Sequence, residues 1–97
     1  MPRSAEGAAA FRARVEGRVQ GVGFRYSARE RAAGLGLVGW VRNDDDGSVE
    51  AWFEGPAAAC LEFAAWLEEG PPGARVDAAR IERAGPLGSY RRFSVEP

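Results

Sequence analysis

Gly17-Arg18-Val19-Gln20-Gly21-Val22-Gly23-Phe24-Arg25 is the stretch on which the reading of this chain turns. An alternation runs into it, with Phe11, Ala13, Val15, Gly17 and Val19 on one side and Arg12, Arg14, Glu16 and Arg18 on the other. Period 2 with one charged side describes a half-buried strand. A helical pattern runs out of it, with Phe24, Ala28, Ala32 and Leu35 as the apolar stripe. Gly21 and Gly23 permit positive φ and a turn where a side chain is expected to clash. Amides of such a turn, with the free N–H groups of the helix start, form a cup for an oxyanion. Arg25 adds a two-pronged donor suited to phosphate. A helix N-terminus prefers acids, so an arginine there is unfavourable unless an anion joins it. A strand-to-helix turn without a ligand accounts for the glycines alone, because short glycine motifs are weak evidence.

Working outward, a second strand is expected from about Leu37 to Asn43, with Gly34 and Gly36 stopping the first helix before it. Asp44-Asp45-Asp46-Gly47 reads as a hairpin turn. A returning strand, Ser48 to Glu54, points Val49, Ala51 and Phe53 inward and Glu50, Trp52 and Glu54 outward. Gly55-Pro56 opens a second helix with Ala57, Cys60, Leu61, Ala64 and Leu67 as its stripe, ended by Gly70-Pro71-Pro72. A less regular strand, Arg75 to Glu82, and a short one, Arg91 to Val95, complete the chain. The order β-α-β-β-α-β plus a final strand predicts an α+β, ferredoxin-like split βαβ sandwich. Its sheet is expected to be of antiparallel type, with both helices on one face and the cup at the end of a central strand. Residues 1–9 read as a flexible tail and 10–97 as the single domain.

The 97 residues are 45% hydrophobic and 28% charged, which suits one soluble core. A net charge of −1 gives no global attraction to nucleic acid or acidic membranes, so an anion must be held by local geometry. No apolar run approaches the ~20 residues of a membrane span, and the single Cys60 permits no internal disulfide, which fits a cytoplasmic protein. All thirteen basic residues are arginine, and there is no His, Lys or Thr. A Ser-His-Asp triad, a Schiff base and a Lys-bearing P-loop are therefore excluded. Metal: none is expected, since a zinc site would have carboxylates and one cysteine to draw on.

Asn43 stands where the second strand returns toward the cup, and its amide, donor and acceptor at once, suits positioning a water. The Asp44–Asp46 run reads as a solvated turn, Cys60 as a buried structural thiol, and Trp66 as packing. Trp40 and Trp52 fall on the open sheet face beside Arg14 and Arg18, an arrangement with which an RNA-binding sheet stacks bases. Glu16, Glu50 and Glu54 share that face, so cross-strand packing and ion pairing account for it as well.

The chain resembles the acylphosphatase family over about residues 10–96. Gly17 through Arg25 is similar to that family's first signature. Leu35-Gly36-Leu37-Val38-Gly39-Trp40-Val41-Arg42-Asn43, followed by Asp46-Gly47-Ser48-Val49-Glu50, is similar to its second. The resemblance implies metal-independent hydrolysis of a small acyl phosphate to carboxylate and inorganic phosphate, with no cofactor. It assigns the phosphate-binding loop to Gln20, Gly21, Val22, Gly23, Phe24 and Arg25, catalysis to Arg25, and water positioning to Asn43. At 97 residues the chain is expected to be a free-standing monomer, and its near-neutral charge and lack of an apolar span predict neither a nucleic-acid nor a membrane partner. Where many members carry Thr after the asparagine, this chain has Asp44, an acid expected to oppose phosphate binding. Two other readings stay open: an RNA-binding module, and an acylphosphatase-like domain that binds phosphate without turnover.

Overall fold

The computed structural model describes residues 8–97. The elements are β1 (Ala8–Arg18), α1 (Phe24–Gly34), β2 (Val38–Asn43), β3 (Val49–Pro56), α2 (Ala57–Leu67), β4 (Arg75–Ala84) and β5 (Phe93–Glu96). Of the tail expected over residues 1–9, residues 1–7 lie outside the described residues. Ala8 and Ala9 belong to β1, paired with Pro56 and Gly55.

The strands form one sheet in the order β4-β1-β3-β2-β5. The first four pair antiparallel, as a split βαβ requires, but β5 runs parallel to β2, setting Phe93 beside Gly39 and Val95 beside Val41. The sheet is thus mixed rather than purely antiparallel. The chain leaves β4 at one edge and reaches β5 at the other across residues 85–92, and that traverse fixes the direction of β5.

Helix α1 packs over β2 and β5, and α2 over β1 and β3. Between helices and sheet lie Phe11, Ala13, Val15, Val41, Val49, Ala51 and Phe53, all buried. Phe63 is the hub of an aromatic cluster, edge-on to Phe53 at 4.8 Å and to Phe93 at 5.7 Å. It stacks on Trp66 at 5.9 Å, which in turn meets Phe24 at 5.4 Å. Burial of such a ring contributes about 1.5–3 kcal/mol, and Phe24 is the first residue of α1. The core therefore pins the helix start next to the glycine turn.

Two details, the buried face of α2 and the place of Glu54, differ from the sequence reading, while the stop of α1 at Gly36 agrees with it. Helix α2 buries Cys60, Phe63 and Leu67, and Leu61 is 61% exposed. Helix α1 is stopped by Gly36 (φ +77°), with Leu37 N–H donating to the Ala32 carbonyl at 2.9 Å and Gly36 N–H to Ala33 at 3.0 Å, a Schellman cap. Glu54 does not point into solvent. It is 5% exposed and accepts from the Trp52 indole at 2.6 Å, Leu87 N–H at 2.9 Å and Gly88 N–H at 3.1 Å, fastening the 85–92 traverse to β3.

Candidate active site

Past Arg18 the ladder ends and residues 20–23 bend into α1. Gly21 and Gly23 both have φ +77°, and a Cβ at either meets nothing within 4 Å. Glycine is required there by left-handed backbone and not by space, contrary to the expected clash. Gly23 caps the helix, and the first backbone bond from this turn is Ser27 N–H to the Gly23 carbonyl at 3.0 Å. Among the described residues, the N–H groups of 21–26 donate no backbone hydrogen bond. Six unengaged donors at one helix start, with no acid in its first turn, are what an oxyanion cup needs.

Beside them opens a cleft of about 220 Å³ lined by Val19, Gly21, Gly23, Phe24, Arg25, Tyr26 and Asn43. Arg25 and Asn43 thus share one cleft. Asn43 ends β2 opposite Val49, on the helix-facing parity of Val41. Arg25 Nη1 donates to the Glu96 carbonyl at 2.9 Å, so β5 holds the guanidinium in place. Its Nε and Nη2 are left for a ligand.

Gln20 engages the β2–β3 hairpin with its side chain. Its Nε2 donates to the Asp44 carbonyl at 2.8 Å and the Ser48 carbonyl at 2.9 Å, joining the glycine turn to the hairpin that carries Asn43. Tyr26, which the sequence reading passed over, lines the cleft while 56% exposed. An exposed aromatic one residue after the arginine was the available signal.

The acids after Asn43 are occupied on the other face of the sheet. Asp44 Oδ2 lies 3.4 Å from Arg14 Nη1, and its Oδ1 accepts from Asp45 N–H at 2.9 Å. Asp46 pairs with Arg14 Nη2, while its Oδ1 accepts from Ser48 N–H at 3.0 Å and Ser48 Oγ at 2.6 Å. Asp44 is not among the cleft-lining residues. Among the described residues, no group of three or more acids and cysteine is arranged to hold a metal ion.

The open face is tied up internally. Trp40 Nε1 donates to the Tyr90 hydroxyl at 3.0 Å, and its ring lies 4.8 Å from the Arg42 guanidinium. Glu50, nearly buried, draws Arg42 at 2.8 Å and Arg12 at 3.4 Å. Aromatic faces and guanidinium groups that would stack and neutralise RNA are thereby engaged within the sheet. Cys60 is buried with Sγ 3.7 Å from the Ala9 carbonyl oxygen, and burial pushes its thiol above the usual range. No helix among the described residues is long and apolar enough to cross a membrane.

The acylphosphatase family model matches residues 11–95. An acylphosphatase of Rubrobacter xylanophilus is 56% identical over 81 residues, covering 84% of this chain and 74% of that protein. Among solved structures, an acylphosphatase from Coxiella burnetii superposes with a TM-score of 0.92 at 35% identity, covering 99% of this chain and all of that one. The Bacillus subtilis acylphosphatase does so with 0.88 at 39% identity, covering 92% and 99%. With both signatures in one cleft and a match spanning nearly every described residue, the chain belongs to the acylphosphatase family.

Proposed function

We propose that this cleft hydrolyses the carboxyl–phosphate bond of small acyl phosphates without a metal or organic cofactor. The observation that carries the proposal is the convergence of the free 21–26 amides, Arg25 and Asn43 on one cleft. The dianionic phosphoryl group sits on the amides, with Arg25 Nε and Nη2 as a charge-assisted fork. The amide of Asn43 holds a water in line with the P–O bond to the acyl group. Water oxygen bonds to phosphorus as that bond breaks, and the electron pair leaves with the carboxylate. The water's protons end on the phosphate, so R–CO–OPO₃²⁻ and H₂O yield R–COO⁻ and H₂PO₄⁻. A carboxylate leaving group needs no general acid, and positioning with electrostatic stabilisation is the strategy that phosphoryl transfer rewards.

The Arg14–Asp44 pair draws the adjacent acid away from the anion, which removes the objection that Asp44 raised to phosphate binding. The internal pairing of Trp40, Arg12 and Arg42 argues against an RNA-binding role. We further read the protein as a cytoplasmic monomer whose one domain includes β1 from Ala8 onward, consistent with a buried free thiol. The test is hydrolysis of benzoyl phosphate in excess chelator. Phosphate release at the same rate with and without chelator is expected. Dependence on added metal, or no release, would refute the reading.

A further inference from the structure

The phosphoryl end of the cleft leaves open where the acyl end of a substrate lies. Of the seven residues lining the cleft, Val19 and Phe24 are buried in the core, Gly21 and Gly23 offer backbone, and Arg25 and Asn43 are polar. Tyr26 alone presents a large apolar surface at the mouth, more than half exposed. It is one of three large hydrophobic side chains exposed among the described residues; the others, Leu61 and Leu87, do not line this cleft. The ring is also held. Arg29, one turn further along α1, sets its guanidinium 5.4 Å from the ring centroid, a contact that restrains Tyr26 and leaves positive charge beside it.

We propose that Tyr26 is the platform of an acyl subsite, and that it selects planar, aromatic acyl phosphates over small aliphatic ones. The inference rests on the acyl phosphatase reading above. A phosphoryl group on the amides of the first helical turn must direct its acyl oxygen out of the cup. The first side chain with aromatic area available there is that of Tyr26, the residue after Arg25. An aryl ring in conjugation with the acyl carbonyl stacks on the phenol ring in an offset or edge-on arrangement, whereas an acetyl group offers one methyl. Because the platform touches the acyl side alone, it contributes to discrimination between acyl groups and nothing to the grip on phosphate.

The experiment compares benzoyl phosphate with acetyl phosphate on the intact protein and on Tyr26→Ala, Tyr26→Phe and Tyr26→Leu. In parallel, calorimetry measures binding of the non-hydrolysable benzoylphosphonate and acetylphosphonate. The expected result is a preference for benzoyl over acetyl that falls about 3- to 10-fold in Tyr26→Ala. Tyr26→Phe keeps it and Tyr26→Leu keeps part of it, while inhibition by inorganic phosphate changes less than about twofold in every variant. Equal losses on both substrates, or an unchanged benzoyl-to-acetyl ratio in Tyr26→Ala, would overturn the subsite. Should the protein bind the phosphonates with this Tyr26-dependent ratio yet hydrolyse neither phosphate, the subsite stands and the catalytic reading fails. Equal binding of both phosphonates, insensitive to Tyr26, removes the subsite whatever the turnover.

Discussion

The side-chain amide of Gln20 donates to the main-chain carbonyl of Asp44 at 2.8 Å, bridging the glycine turn to the residue that follows Asn43. The same nitrogen reaches the Ser48 carbonyl at 2.9 Å. One side chain thereby holds the two halves of the cleft, which lie on separate elements, in a fixed relation.

Removing that bridge separates positioning from binding. Both carbonyls keep one backbone partner each, Gly47 N–H and Asp44 N–H. Gln20→Ala is therefore expected to cost about 1–2 kcal/mol of stability for two neutral hydrogen bonds, measured by urea unfolding. Because Asn43 is set through the hairpin, kcat is expected to fall while the inhibition constant for phosphate stays within about threefold. An unchanged kcat would show that the hairpin holds Asn43 unaided.

Arg14 is expected to matter to the site although it lies on the opposite face of the sheet. It faces Asp44, Asp46, Glu16 and, at 4.0 Å, Glu50. Arg14→Ala frees the Asp44 carboxylate beside Asn43. A full charge at roughly 8 Å in water acts with about 0.5 kcal/mol, so phosphate inhibition should weaken two- to threefold at low salt. The effect should vanish at high salt and in the Arg14→Ala/Asp44→Asn double variant. A loss that persists in the double variant points to a packing role.

Glu54 gives the fold an acid-sensitive fastening. Burial alone would raise its carboxyl, but hydrogen bonds from Leu87 N–H, the Trp52 indole and Gly88 N–H outweigh it and hold it below the ordinary range. A depressed folded-state pKa contributes stability above the unfolded carboxylate value of about 4.3, and that stability is lost as pH falls through the folded value. Urea midpoints should be flat from neutral pH down to about 5 and then decline. Glu54→Gln should be less stable at pH 7 and decline less below that point. Parallel pH profiles for the two proteins would remove Glu54 from the acid response.

Both halves of the candidate site could be read in the sequence because they are local. The period-2 run through Val19, the glycines and the stripe from Phe24 fix a junction within a few residues, and strand parity turns Asn43 toward it. What escaped depends on residues far apart in the chain. Glu54 reads as outward by parity, and its burial comes from Leu87 and Gly88, 33 and 34 residues later. The parallel pairing of β5 follows from the same traverse, which carries no periodicity. Helix α2 is apolar on almost every side, so spacing cannot choose Phe63 over Leu61; contacts with Phe53 and Phe93 choose it. The bridge made by the Gln20 side chain is of the same kind, since its two acceptor carbonyls lie on another hairpin, 24 and 28 residues later.

The central claim is that Arg25 stabilises the transferring phosphoryl group while Asn43 aims the water. Steady-state hydrolysis of benzoyl phosphate by Arg25→Ala and Asn43→Ala, each with its phosphate inhibition constant, tests it most directly. Removal of one such electrostatic donor costs on the order of 100-fold or more in turnover, so Arg25→Ala should be nearly inactive and bind phosphate weakly. Asn43→Ala should lose turnover to a similar degree with phosphate binding nearly intact. Full activity in Arg25→Ala, or a loss in Asn43→Ala explained entirely by weaker phosphate binding, would overturn it.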